Sequence, residues 1–153
     1  SKEVEEVIVS TGIDPGLIEL EVTESALMAD FDQTRNVLLA LSSLGLSLAL
    51  DDFGTGYSSL SYLRQFPLNV LKIDRSFIKD MDTEPQALDI VTAIVRLGSC
   101  LNMVLVAEGL ETELQFHSLR QLGCEYGQGY YMCKPVSEDE FTERFLNQAP
   151  IMT

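Results

Sequence analysis

Residues 46–56 read LSLALDDFGTG, and this stretch decides the fold class. Its first five residues, mostly apolar, form the short continuous run that is typical of a strand buried on both faces of a sheet. The run leads directly into Asp51 and Asp52 and then into a loop with two glycines. A buried strand that ends in adjacent carboxylates indicates a parallel α/β fold with polar groups at the carboxyl ends of its strands.

The same alternation of helix and strand continues on both sides of this stretch. The first helix is predicted from Val4, where helical apolar spacing begins, and a short helix is predicted at Leu60–Arg64. Pro85 opens another helix. Thr112 to Gln115 has the spacing of a capping box, and Ser137 opens the last helix. The predicted strands are LIELEV (17–22), LSLAL (46–50), NVLKI (69–73), MVLVA (103–107) and a short strand around Gln128. Five strands that alternate with helices predict parallel βα units, closed as a barrel or wound as an open sheet.

The composition excludes several classes of function. The chain has 24 Asp and Glu against 10 Lys and Arg, a formal charge of −14. This charge repels polyphosphate unless cations neutralise the acids locally, so binding to DNA or RNA polymers is not expected. With 153 residues and 46% hydrophobic content, the chain is predicted to form at most one domain.

The cysteine pattern and the absence of targeting signals predict a cytoplasmic protein. Cys100, Cys124 and Cys133 form no CxxC pair, so we expect free thiols in a reducing compartment. No apolar stretch approaches the ~18 residues that span a bilayer, and no membrane contact is expected from this segment. The chain starts at Ser1 on a helix already under way, which indicates an excerpt of a longer protein.

Polar residues stand at the carboxyl end of every predicted strand. Gathering several carboxylates there without a counter-charge would cost ~4 kcal/mol per pair at ~4 Å and an effective dielectric of ~20, so a divalent cation is expected. All the ligands offer oxygen, and the lone His117 lies on a predicted helix, which favours Mg²⁺ or Mn²⁺ over zinc. Metal-activated water is then the expected nucleophile. The candidate residues are Glu21, Asp51, Asp52, Lys72, Glu108 and Gln128.

Five segments occur in the order and spacing of a known family: IELEVTES (18–25), DDFGTGYSSLSYL (51–63), LKIDRSFI (71–78), VAEGLET (106–112) and QGYYMCKP (128–135). They resemble the EAL-domain family of cyclic-di-GMP phosphodiesterases. The resemblance covers essentially the whole chain, residues 1–153, but only the carboxyl-terminal part of the family domain, a TIM-like barrel of roughly 250 residues. It implies about five of eight strands, mostly parallel, without the strand that bears the Glu-Ala-Leu motif or the next strand with its Asn ligand.

The resemblance also implies a role for each candidate residue. Glu21, Asp51 and Asp52 would hold two ions of Mg²⁺ or Mn²⁺, with Glu108 contributing to that centre or its water. Lys72 would orient the attacking water and stabilise charge on the phosphate, assisted by Gln128. The remaining matches are Asp74 and Glu111 as further acids around the site and Glu24 as the anchor of the loop that begins at Phe53.

The implied reaction is hydrolysis of cyclic di-GMP to linear pGpG in the intact domain, and the activity of this chain alone stays open. One alternative is a non-catalytic module that binds cyclic di-GMP or a protein. Another is a Schiff-base role for Lys72 of the aldolase kind, which the neighbouring acids disfavour. Because five strands cannot close a barrel, we expect a homodimer or strand-exchanged oligomer, and an upstream sensor domain is also expected.

Overall fold

The structure, a computed structural model, describes residues 2–54 and 63–146. Its centre is one sheet of five parallel strands, hydrogen-bonded in the order in which they occur along the chain. The strands are β1 (Glu19–Thr23), β2 (Ser47–Phe53), β3 (Val70–Ile73), β4 (Val104–Glu108) and β5 (Tyr126–Gln128). The predicted count and parallel direction of the strands are confirmed. Within the described residues the sheet is open, with β1 and β5 at its edges.

Helices precede the first strand and separate most of the strands, as predicted, and two short helices, at Glu24–Ala29 and Arg75–Ile78, were not predicted. They are α1 (Lys2–Thr11), α2 (Glu24–Ala29), α3 (Phe31–Ser43), α4 (Arg75–Ile78), α5 (Pro85–Cys100), α6 (Glu113–Leu122) and α7 (Glu138–Phe141). A 3₁₀ turn covers Pro15–Leu17 and a π-helical turn covers Thr142–Leu146. The predicted helix at Leu60–Arg64 lies largely outside the described residues. No helix in the described ranges is long and apolar enough to cross a membrane.

Local side chains set where several helices begin. At the start of α6, Gln115 N donates to Thr112 Oγ1 and Thr112 N donates to Gln115 Oε1, each at 3.1 Å, which completes the predicted capping box. Ser137 accepts from the backbone N–H of Glu140 at 3.3 Å and starts α7, also as predicted. Pro85 occupies the first turn of α5, where a missing N–H costs no hydrogen bond.

Helices pack on one face of the sheet. Side chains alternate along each strand, so Leu50, Leu71 and Leu105, which lie opposite one another in register, share this face and are fully buried. The approach of α5 is close, because a Cβ at Gly98 would lie 2.5 Å from the side chain of Leu105. The helices contribute to the same core Leu38, Leu41, Val91, Val95 and Leu119. Polar residues of the site alternate onto the opposite face.

Strand β1 differs from the prediction of a buried strand over 17–22. Asp14 caps the 3₁₀ turn through its Oδ1, 3.0 Å from the backbone N of Gly16, and so delays the strand to Glu19. Leu17 is 79% exposed, and every residue of β1 is exposed or half-buried. The reason is topological: among the described strands, β1 pairs only with β2 and forms an edge of the sheet.

Strand β2 is longer than the predicted 46–50 and ends at Phe53. Its pairing with β3 shifts between Leu50 and Phe53, so β2 has one more residue than its partner over this span. Asp52, inside the irregular span, has φ of 55°, in the left-handed region. This geometry is a β-bulge, which interrupts the strict alternation of side chains.

Candidate active site

The carboxyl ends of the strands form one edge of the sheet, and the predicted site residues lie along it. In the register of the sheet, Thr23 of β1 lies opposite Asp51 of β2, and Glu108 of β4 lies opposite Gln128 of β5. Parallel strands end at the same edge, so polar residues that are far apart in sequence become neighbours there. The site predicted at the strand ends therefore corresponds to one region of the molecule.

Lys72 of β3 lies at the centre of this region. The residue is only 6% exposed, and its Nζ donates hydrogen bonds to Glu21 and to Glu108 Oε1, the latter at 2.6 Å. Asp51 Oδ1 lies 3.7 Å from the same nitrogen. We call Glu21, Asp51, Lys72 and Glu108 the strand-end cluster. One ammonium neutralises only part of the charge of three carboxylates, so the cluster stays acidic.

The bulge in β2 places Asp51 and Asp52 differently from a regular strand. Asp51 Oδ1 accepts a hydrogen bond from the backbone N of Asp52 at 2.9 Å, while the same oxygen faces Lys72. The side chain of Asp51 is 21% exposed, and Asp52 is exposed. The extra residue in the strand breaks the alternation of side chains at these two positions.

The carboxylates determine the charge of Lys72. Burial by itself lowers the pKa of its amine, but the hydrogen bonds to Glu108 and Glu21 and the negative charges of Glu108 and Asp51 outweigh burial. The pKa of Lys72 is therefore raised above its usual value, and the amine stays protonated at neutral pH. A nucleophilic lysine needs the opposite shift, so the geometry opposes the Schiff-base alternative.

The donor set at the strand ends suits a hard divalent cation. The carboxylates of Glu21, Asp51 and Glu108 converge on one cationic atom, Nζ of Lys72, and offer only oxygen, as Mg²⁺ and Mn²⁺ prefer. Across residues 2–54 and 63–146, no three His, Cys, Asp or Glu side chains are grouped so as to hold a metal ion by themselves. The chemistry of the donors fits the predicted ions, and the ammonium of Lys72 lies between these donors.

A cleft of about 230 Å³ adjoins the cluster at the ends of β4 and β5. Across it, Arg75 Nη2 donates to Glu111 Oε1 in an ion pair. Gly109 has φ of 70°, and a Cβ there would lie 2.3 Å from Cγ of Arg75, so the arginine stem crosses this glycine closely. The residues around the cleft are Arg75, Glu108, Gly109, Glu111, Gln128, Gly129 and Tyr130.

Comparison with known proteins identifies the family. The sequence profile of the EAL domain matches residues 2–135. The chain belongs to the EAL domain family. NbdA of Pseudomonas aeruginosa, named a cyclic di-GMP phosphodiesterase, is 47% identical over 134 residues, which cover 88% of this chain and 17% of NbdA. The chain spans about a fifth of the length of the curated relatives it matches.

Solved EAL structures share the fold. The complex of the PaMucR phosphodiesterase of Pseudomonas aeruginosa with c-di-GMP superposes with a TM-score of 0.88 at 42% identity, over 92% of this chain and 57% of that chain. A manganese and cyclic-di-GMP complex of BlrP1 from Klebsiella pneumoniae gives 0.77 at 36% identity, over 84% and 33%. The predicted fold class, part of a TIM-like βα barrel, is confirmed by this likeness.

Two further acids of the EAL motifs have structural contacts of their own. Asp74 caps α4, since its Oδ1 accepts from the backbone N of Ser76 at 3.0 Å. The hydrogen bonds to Ser76 lower the pKa of Asp74 despite its partial burial. Glu111 pairs with Arg75, as described above. A direct role for Asp74 or Glu111 around a metal centre stays a prediction.

Glu24 of the EAL motif EVTES contacts the loop after β2. It is 2% exposed, and its Oε2 accepts from the backbone N of Gly54 at 2.9 Å. Gly54 has φ of 95°, and a Cβ there would lie 2.7 Å from the ring of Phe77, so only glycine fits. Residues 55–62, which the loop enters next, lie outside the described ranges. The contact is where the resemblance predicts an anchor, and its effect on the loop stays a prediction.

Sequence reasoning missed Arg75 and the full role of Gln115. Arg75 lies two residues after the end of β3, so the strand-end rule that selected Lys72 would have included it had the rule been extended to the residues after the strand. Gln115 is 3% exposed and has more partners than a capping box requires. Its spacing revealed the cap, but no sequence signal indicated its contacts with α4.

Proposed function

We propose that the protein hydrolyses cyclic di-GMP to linear pGpG as part of an EAL domain, with Mg²⁺ or Mn²⁺ as the cofactor. The strand-end cluster is the observation that carries this proposal, because three acids and a protonated lysine meet at the edge of the sheet where parallel α/β folds carry their reactive groups. The c-di-GMP complexes of PaMucR and BlrP1 support the substrate, and the manganese in BlrP1 supports the metal. NbdA is named a cyclic di-GMP phosphodiesterase, which supports the proposed hydrolysis.

The acids would hold the cations in the intact domain. Glu21, Asp51, Asp52 and Glu108 are the proposed ligands of two ions, and their oxygens are the right donors. When bound, such ions supply a hydroxide-like water at neutral pH and neutralise phosphate oxygens. The loop anchor is proposed to be Glu24, with Asp74 and Glu111 as further acids around the centre.

Lys72 and its neighbours would act on the phosphodiester. Two of the three N–H donors of Lys72 are used by Glu21 and Glu108 within the described part of the chain, so a third can donate to a phosphate oxygen or to water. The fixed ammonium would stabilise the negative charge that develops on the phosphate. Glu108 would accept a proton from the attacking water, and Gln128, opposite it in register, would hydrogen-bond the same water.

A specific observation also supports a binding module without hydrolysis. Among the described residues Lys72 lies between the acids, and no three potential ligands form a metal site by themselves. A chain that cannot bring cations to the acids could still bind the nucleotide in the cleft beside Arg75. Measuring binding and hydrolysis separately distinguishes the two functions.

The test is chromatographic detection of pGpG after the full chain is incubated with cyclic di-GMP and Mg²⁺ or Mn²⁺. Glu21→Gln removes the charge of one cluster member at nearly constant volume. Glu19→Gln is the matched control, because Glu19 lies two residues earlier in the same strand and accepts from Ser47 Oγ at 3.3 Å. We expect metal-dependent product that is lost in Glu21→Gln and retained in Glu19→Gln.

Three other outcomes are informative. Binding without product, measured by calorimetry, supports the binding module. Neither binding nor product refutes both functions for this chain. Equal product in Glu21→Gln and wild type refutes the assignment of Glu21.

Partners and location are also proposals. β1 and β5 have no neighbour on their outer sides among the described strands, and Tyr126 of β5 is 65% exposed, which supports a homodimer or strand-exchanged oligomer. Light scattering with size exclusion would show a mass above 17.0 kDa.

An upstream sensor domain is proposed because the chain covers only a small share of the length of its relatives. Three free thiols support a cytoplasmic location.

A further inference from the structure

Both the oxygen and the nitrogen of the buried Gln115 side-chain amide make hydrogen bonds. Its Oε1 accepts from the backbone N of Glu111 at 2.8 Å and of Thr112 at 3.1 Å. Its Nε2 donates to the backbone O of Ile78 at 3.2 Å and of Lys79 at 3.5 Å. A capping box needs only the contact of Oε1 with the backbone N of Thr112. The contacts of Nε2 reach the end of α4, more than 35 residues away in sequence.

The two segments that Gln115 joins each carry one member of an ion pair. Arg75 is the first residue of α4, and Glu111 lies in the loop between β4 and α6. The backbone N of Glu111 is itself bound to Gln115, so the amide contacts the residue whose carboxylate faces Arg75. A second hydrogen bond joins the same loop to the residues after α4, since Thr112 Oγ1 donates to Asp82 Oδ2 at 2.8 Å.

The loop between β4 and α6 is also held on its other side. Leu110 N donates to Gln128 O at 3.1 Å, and Leu110 O accepts from Tyr131 N at 2.9 Å. The next two residues of the loop, Glu111 and Thr112, are the ones whose backbone N–H groups Gln115 binds. This loop begins directly after Glu108 of the strand-end cluster and forms one wall of the cleft.

We propose that Gln115 is a positioning residue that fixes the ion pair of Arg75 and Glu111 and so sets the shape of the cleft beside Glu108. Its oxygen orients the loop that carries Glu111, and its nitrogen ties that loop to the helix that carries Arg75. The effect on nucleotide rests on the proposed function. The effect on the ion pair does not, because both partners are within the described fold.

Gln115→Glu separates positioning from simple helix capping. A carboxylate keeps the acceptor for Glu111 and Thr112 and suits a helix N-terminus. It cannot donate to Ile78 and Lys79, whose carbonyl oxygens would face a negative charge. A residue that only caps α6 tolerates this change, whereas a residue that joins α6 to α4 does not.

The experiment follows the full chain by NMR, comparing wild type, Gln115→Glu, Gln115→Leu and Asp30→Ala. The control Asp30→Ala removes the cap of α3, a 3.1 Å contact with Gln33 N. The readouts are amide exchange at Glu111 and Thr112 and the guanidinium resonances of Arg75. Loss of one hydrogen bond is expected to speed local exchange about fivefold to tenfold.

We expect Gln115→Glu to change the Arg75 resonances while the Glu111 amide stays protected, and Gln115→Leu to change both. Asp30→Ala should change neither. Unchanged Arg75 resonances in Gln115→Glu would overturn the proposal, and this variant decides it even if Gln115→Leu fails to fold. Titration with cyclic di-GMP should show affinity reduced about fivefold or more in Gln115→Glu. If wild type binds no nucleotide, the proposed function fails, and the Arg75 readout still tests Gln115.

Discussion

Replacing Lys72 with methionine tests the strand-end cluster most directly. Methionine keeps most of the length and apolar stem of lysine but removes the ammonium. In buffer that contains a chelator, the carboxylates of Glu108 and Asp51 would then face each other without a cation. We expect the free energy of unfolding to fall by about 3 kcal/mol.

The magnitude follows from the distances and burial at Lys72. At an effective dielectric of ~20, separations of 2.6 Å to Glu108 and 3.7 Å to Asp51 correspond to ~6 and ~4 kcal/mol of attraction. Desolvation of the ammonium offsets several kcal/mol of this, and loss of one partner from a buried ion pair costs about 3–5 kcal/mol. Glu108 and Asp51 keep 23% and 21% side-chain exposure, so the lower value applies. Glu21 is left out because its side chain is 49% exposed.

The assay is urea unfolding followed by circular dichroism, with the exposed Lys79→Met as the control, expected within ±0.5 kcal/mol of wild type. The pH dependence has a definite sign. The pKa of Lys72 is raised in the folded state, so its stabilisation is fully present below the unfolded value of ~10.4 and is lost as pH rises through the folded value. The difference between wild type and Lys72→Met should stay constant from pH 7 to 9. A difference under about 1 kcal/mol, or one that disappears by pH 9, would refute the reasoning.

A substitution at Gly129 and an alkylation of Cys124 test other parts of the structure. Gly129→Ala would place a Cβ 2.2 Å from the backbone N and O of Leu110, which is hydrogen-bonded on both sides, so we expect a loss of about 2–4 kcal/mol in urea unfolding. Gly16→Ala, with its nearest contact at 3.4 Å, should change little, and an equal loss in both would contradict this reason. Burial raises the pKa of the Cys124 thiol to about 11, so about one molecule in a thousand is thiolate at pH 8. Alkylation by iodoacetamide, read by mass spectrometry of the peptide, should rise about tenfold per pH unit from 8 to 10, and rapid alkylation at pH 8 would show that the thiol is accessible.

The elements of the fold were predictable because each strand has a local signal. The apolar runs before Asp51 and after Asn69 are short and continuous, and the capping box at Thr112 marks a helix start without ambiguity. The apolar run at 17–22 did not by itself show that β1 is an edge strand, because such a run does not say how many neighbours the strand has. The sequence also did not show the bulge, since register depends on both β2 and β3.

The candidate site was predictable as a list of residues but not as a set of contacts. The rule that polar groups collect at strand ends found Lys72 and Glu108, yet it did not say that the ammonium lies between the acids. Repulsion among carboxylates can be relieved by any cation, and sequence alone favoured an ion over a lysine already present. The contacts of Gln115 with α4 depend on how two distant loops pack against each other. The spacing of residues within one loop carries no information about that packing.

The backbone of Asp52 has a consequence for the evolution of stability. A residue other than glycine at φ of 55° is strained by about 1 kcal/mol, and aspartate is among the few that tolerate this region. Glycine at position 52 would relieve the strain and make the fold more robust, but it would remove a carboxylate from the proposed metal centre. Under the proposed function, selection for thermal stability and selection for catalysis would therefore favour different residues here. A library screened only for survival at high temperature would be expected to drift toward glycine at this position and to lose the proposed activity.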